Sequence, residues 1–91
     1  MSDIFQDNEA RMNVTYDGAN GDLPDPVPFD ASKDSLRQMA TEAIRGGDIP
    51  GIPTHDSPDL DGFEVDYFAA DEEVDHNRVF IRPKTPYGGR R

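Results

Sequence analysis

The sequence predicts an α+β fold, a small sheet crossed by one helix, and three observations predict it. Segments in which apolar and polar residues alternate recur along the chain, the signature of half-buried strands. One stretch alone follows the period of a helix with an apolar face. The 91 residues suit one domain, since a domain usually takes about 100 to 200, and a single amphipathic helix can bury its stripe only against a sheet.

Residues 1–11 are polar and acidic, with Ile4 and Phe5 as the large apolar groups, and read as a disordered acidic arm. From Met12 the pattern becomes strict alternation: Met12, Val14 and Tyr16 on one face, Asn13, Thr15 and Asp17 on the other, a half-buried strand. Asp17 to Asp22, with two glycines and short polar side chains, reads as the loop of a hairpin. Leu23, Val27 and Phe29 then share one parity, while Pro24, Pro26 and Pro28 occupy the other. Proline has no N–H to give a ladder, so Leu23 to Phe29 is expected as an edge strand, its prolines shielding that edge from other chains.

The helix is the clearest element. Leu36, Met39, Ala40, Ala43 and Ile44 make one face, with Arg37, Gln38, Thr41, Glu42 and Arg45 outside it. Ser32 or Asp34 caps the start, Gly46-Gly47 ends it, and the span is Ser32 to Arg45. Residues 46–62 form a loop with four glycines and three prolines, pinned to the core by Ile49, Ile52 and Leu60. Phe63, Val65 and Tyr67 give a third strand, and the acidic run Asp71 to Asp75 is a solvated connection. Arg78 to Arg82, apolar on both faces at its centre, is a fourth strand expected in the middle of the sheet. Pro83 stops it. The division is then an arm over 1–11, a folded domain over 12–83 and a flexible tail over 84–91.

Composition narrows the function. Hydrophobic residues make up 34% of the chain, so the core is thin. Cysteine is absent, which excludes disulfides, thiolate catalysis and cysteine-ligated zinc. The start lacks the basic and apolar regions of a signal peptide, and no apolar run approaches a membrane span, so a cytoplasmic protein without a membrane partner is expected. The net charge of −10 is unevenly spread: residues 1–77 carry −15, and residues 78–91 carry +5 and no acid. An acidic body repels phosphate backbones, which argues against nucleic acid as a partner.

Catalytic constellations fail. His55 and His76 lie in acidic loops without a nucleophile or ligand spacing beside them, and both read as surface histidines. Asp56 to Gly62 lacks the closing glutamate and ligand spacing of a calcium loop and reads as a solvated turn. Neither Gly46-Gly47 nor Gly18 and Gly21 lies between a buried strand and a helix start, as a phosphate loop would. The expectation is no enzyme, no cofactor and no metal.

The basic tail, Lys84-Thr85-Pro86-Tyr87-Gly88-Gly89-Arg90-Arg91, is the sharper feature. With the element order before it, and with Gly46-Gly47-Asp48-Ile49-Pro50 after the helix, the chain resembles a ubiquitin-like modifier, specifically the bacterial members encoded beside an activating enzyme, a conjugating enzyme and a JAMM-type metalloprotease. The resemblance covers residues 12–89, mostly as pattern. It implies a β-grasp, a four- to five-stranded mixed sheet crossed by one helix, with the last strand parallel to the first at the centre.

It further implies that the protease cuts between Gly89 and Arg90, and that Gly89, behind Gly88, is the conjugated residue. The chain would serve as a bacterial protein modifier in antiphage defence, adenylated by the ATP-using activating enzyme, passed on as a thioester and attached to target proteins. Arg82, Lys84, Tyr87 and Phe80 would face those partners. Glycine at the last two positions leaves the carbonyl open to a thiol in a narrow site, and the two tail prolines reduce the entropy lost on entering it. The tail departs from ubiquitin's alternating leucine and arginine at Pro83, Pro86 and Tyr87, so the partner's channel must differ. Two other readings stay open: an acidic decoy that mimics DNA phosphates toward a nucleic-acid-binding protein, and a small adaptor that docks by its sheet.

Overall fold

The computed structural model describes residues 8–84, an α+β arrangement of one helix and a five-stranded mixed sheet. The strands are β1 (Glu9–Tyr16), β2 (Ala19–Asp22), β3 (Val27–Pro28), β4 (Glu64–Phe68) and β5 (Asn77–Arg82), with α1 (Lys33–Gly46) between β3 and β4. The sheet order is β2-β1-β5-β4, and β3 also pairs with β1. β5 is therefore central, as its apolar run predicts, and it lies parallel to β1 with Met12 opposite Val79 and Val14 opposite Ile81. β4 runs antiparallel on its other side, with Val65 opposite Ile81.

The first strand starts at Glu9, so Glu9 to Arg11, expected in the arm, belong to the sheet. Ala10 is buried, paired with Asn77 on one side and Val27 on the other. The side chain of Asn77 fastens this end: its amide donates to the Glu9 carbonyl at 3.1 Å and its oxygen accepts from the Ala70 amide at 2.8 Å. A buried amide with both ends bonded avoids the desolvation cost of an unpaired one.

The expected hairpin loop, Asp17 to Asp22, is corrected to a two-residue turn. Asp17 and Gly18 both take positive φ, 53° and 81°, the geometry whose twist matches a two-residue hairpin. Ala19 to Asp22, which show no alternation, are strand β2. Gly21 is required there, because a Cβ would stand 2.1 Å from the Pro50 carbonyl oxygen. The expected edge strand over Leu23 to Phe29 shrinks to Val27 and Pro28. Leu23 still donates to the Met12 carbonyl, at 2.9 Å, but Pro24 and Pro26 have no N–H to continue the ladder. β2 and β3 are thus two pieces of one interrupted edge.

Ser32 caps α1, accepting from the Ser35 amide at 3.1 Å. Gly47 and Asp48 close its far end, their amides bonding Ile44 and Ala43 in the paired pattern of a Schellman cap. The helix buries Leu36, Ala40, Ala43 and Ile44, with Met39 partly covered, against Met12, Val14, Val65, Val79 and Ile81 of the sheet. No strand lies between α1 and β4 among the described residues. Ile49, Ile52 and Leu60 are buried and hold that loop on the core. Phe63, expected to open the third strand, stands one residue before β4 and accepts at its carbonyl from Arg37, at 2.8 Å.

Candidate functional site

β5 carries the chain out of the sheet centre, ending at Arg82 and followed by exposed Pro83 and Lys84. Of the residues that sequence reading singled out, Phe80, Arg82 and Lys84 are described here. Tyr87, Gly88, Gly89 and Arg90 lie outside the described residues.

Phe80 and Arg82 share the sheet face away from the helix, since Val79 and Ile81 point into the core. Arg82 is engaged, its guanidinium bonding Asp66 at 2.7 Å and standing 3.9 Å from Glu64. Phe80 meets Phe68 edge-to-face at 5.3 Å between ring centroids, and the Arg78 guanidinium lies 5.8 Å from the Phe68 ring centre. Arg78 also stands 3.9 Å from Asp71. Asp71 closes its own turn by accepting from the Val74 and Glu73 amides, each at 2.9 Å. Those two amides, with a smaller contribution from Arg78, hold its carboxyl below its ordinary value.

Lys84 borders a second feature, a cleft of about 400 Å³ between the start of α1 and β4, lined also by Lys33, Arg37, Phe63, Glu64 and Asp66. Arg37 is pinned within it by Asp34 and the Phe63 carbonyl. The chain has two lysines, Lys33 and Lys84, and the fold brings both to this cleft at the base of the tail.

The other half of the outer face is closed on itself. The Asn13 and Asn20 side chains exchange two hydrogen bonds, at 3.0 and 2.8 Å, Asn13 also donates to Asp22 at 2.7 Å, and Asn20 to Thr15 at 2.8 Å. His55 and His76 are held in separate local contacts: His55 packs edge-on against Tyr16 and accepts at Nδ1 from the Ser57 amide, and His76 stands beside Asp75. In the Asp56 to Gly62 segment, Asp59 accepts from the Asp61 amide, as a turn residue does. Among the described residues, no group of three or more His, Cys, Asp or Glu is placed to hold a metal ion, and no helix is long and apolar enough to cross a membrane.

Sequence reading missed Asp66, Glu64, Phe68 and Arg78 as companions of Phe80 and Arg82. Parity signals that they share a face, but their pairing depends on the register across residues 69–76, which parity does not supply. Comparison with protein-family models, curated proteins and solved structures found no match to the chain.

Proposed function

We propose that the protein is a ubiquitin-like modifier with a β-grasp fold, a substrate for its partner enzymes that carries no catalytic residue. The observation that supports this most is the parallel pairing of β1 with β5 at the sheet centre, after a leading hairpin and one crossing helix. That arrangement sends the chain out at Lys84, with Gly88-Gly89 four residues beyond.

In this reading a JAMM-type metalloprotease hydrolyses the Gly89–Arg90 bond. The freed Gly89 carboxylate attacks the α-phosphorus of ATP on an activating enzyme, pyrophosphate leaves, and an acyl-adenylate forms. A cysteine thiolate of that enzyme attacks the carbonyl carbon, AMP leaves, and the acyl group becomes a thioester that passes to a conjugating enzyme and then to a target protein. The thiols belong to the partners, because this chain has no cysteine. Lys84 meets acidic residues on the partner directly, whereas Arg82 must first release Asp66. With Lys33 and Lys84 confined to one cleft, attachment to other proteins dominates over self-chains.

The test is to incubate the form ending at Gly89 with its activating enzyme and ATP. A thiol-sensitive adduct is expected, and Gly89→Glu should bind without reacting because its bulk closes the approach to the carbonyl. No adduct while the enzyme turns over ATP overturns the reading. The exposed Phe68 favours a second reading, an adaptor that docks by its outer face, and that activity would survive removal of Gly88 and Gly89.

A further inference from the structure

The Phe68–Phe80 pair lies at the end of the sheet where the chain enters β1. Among the described residues Phe68 is the exposed large apolar side chain, 45% accessible. The register sets Arg78 opposite Phe68 on one side and Arg11 on the other, so two phenyl rings and two guanidiniums share this corner of the outer face. Both guanidiniums are already held at one side, Arg78 donating to the Ala69 carbonyl at 3.4 Å and Arg11 standing 3.7 Å from Asp22, so a carboxylate arriving at this corner joins an existing network. Such a surface suits an apolar segment flanked by carboxylates, because rings gain from edge contacts and a guanidinium from a charged acceptor.

The sequence before β1 is such a segment: Asp3-Ile4-Phe5-Gln6-Asp7. We propose that Asp3–Asp7 of the same chain is the occupant of this patch, with Ile4 and Phe5 against Phe68 and Phe80, and Asp3 and Asp7 toward Arg78 and Arg11. Length permits it. Phe5 stands four residues before Glu9, a reach of up to about 14 Å at 3.3 to 3.6 Å per residue. Phe68 lies two strands across from β1, about 10 Å at 4.7 to 4.9 Å per strand, and two residues along. The tether also keeps the segment at high local concentration, so weak contacts suffice. The contact holds whether or not the chain is a modifier.

The absence of cysteine makes the test direct. A nitroxide on Ser2→Cys in the full chain should broaden the amide resonances of Asp66 to Phe68 and Arg78 to Phe80, while those of the outward helix residues Gln38 and Glu42 stay sharp. The broadening should persist on tenfold dilution and be lost in Ser2→Cys carrying Phe5→Ser, a change that precedes the first strand. Broadening unaltered by Phe5→Ser would show tethered proximity alone and overturn the proposal. Broadening that fades on dilution would make a second copy the occupant, and sharp patch resonances would leave the surface for an outside partner; either result also overturns it.

Discussion

The two halves of the outer sheet face solve the same problem differently. On the β1–β2 side, Asn13, Asn20, Thr15 and Asp22 bond one another, and their hydrogen-bonding capacity is largely spent within the molecule. On the β4–β5 side, two aromatic rings lie among Arg78, Arg82 and Asp66, with Phe68 left accessible. Side chains that satisfy each other offer little to a partner, whereas exposed rings beside charges do. The difference leaves an accessible ring on the half whose last strand leads into Lys84.

That contrast can be broken in four ways. Both halves rest on one core, so Leu36→Asp, which puts an unpaired charge against the sheet, should cost roughly 3 to 5 kcal/mol and melt them together. Thermal unfolding followed at Tyr and by amide resonances of both halves checks it, and separate transitions would show two cores. Gly21→Ala should cost about 1 to 3 kcal/mol, because its methyl meets the Pro50 carbonyl and forces the loop off β2. Urea titration should show the loss with the fold retained.

Next in size, Asn13→Ala should lower stability by about 1 kcal/mol by removing its hydrogen bonds to Asn20 and Asp22, while Phe68→Ser, at an exposed site, should cost about 0.5 kcal/mol. If urea midpoints reverse that order, the aromatic half is structural and the assignment of roles fails. The smallest effect concerns Asp71. Its carboxyl is held below the ordinary value near 3.8 by the Val74 and Glu73 amides, so its contribution is complete above that value and is lost as pH falls through the lower folded value. Asp71→Asn keeps an oxygen for both amides and does not titrate. The stability of that variant should therefore fall less steeply than the parent's below pH 3.8, read as urea midpoint against pH.

Much of this fold was legible because its elements announce themselves locally. The stripe from Leu36 to Ile44, with Ser32 before it and glycine after it, defines α1 within one residue at each end, alternation marks β1 and β4, and an apolar run marks β5. β2 was not legible. Ala19-Asn20-Gly21-Asp22 carries no alternation, and what makes it a strand is a two-residue turn together with the Pro50 loop resting on Gly21, a contact between segments far apart in sequence. The prolines that marked Leu23 to Phe29 as an edge strand are also the reason it is short. At the candidate site, Phe80, Arg82 and Lys84 could be named from their place beside the tail, but the Arg82–Asp66 ion pair and the shared lining of one cleft by Lys33 and Lys84 arise only when the strands find their register and the helix crosses them.

The parallel centre of the sheet also sets the order of events when the chain is made. The Asn77 amide and the Glu9 carbonyl that it bonds are 68 positions apart in sequence, and β5 supplies the inner partner of both β1 and β4. Nothing earlier in the chain can fill that place, so the first strand must wait for the last before the core closes, and pairings of such long range form slowly. A nascent chain halted before Asn77 lacks the middle of its sheet, and a region without that packing opens readily to proteases. A molecule that has closed its core has therefore been made at least through β5.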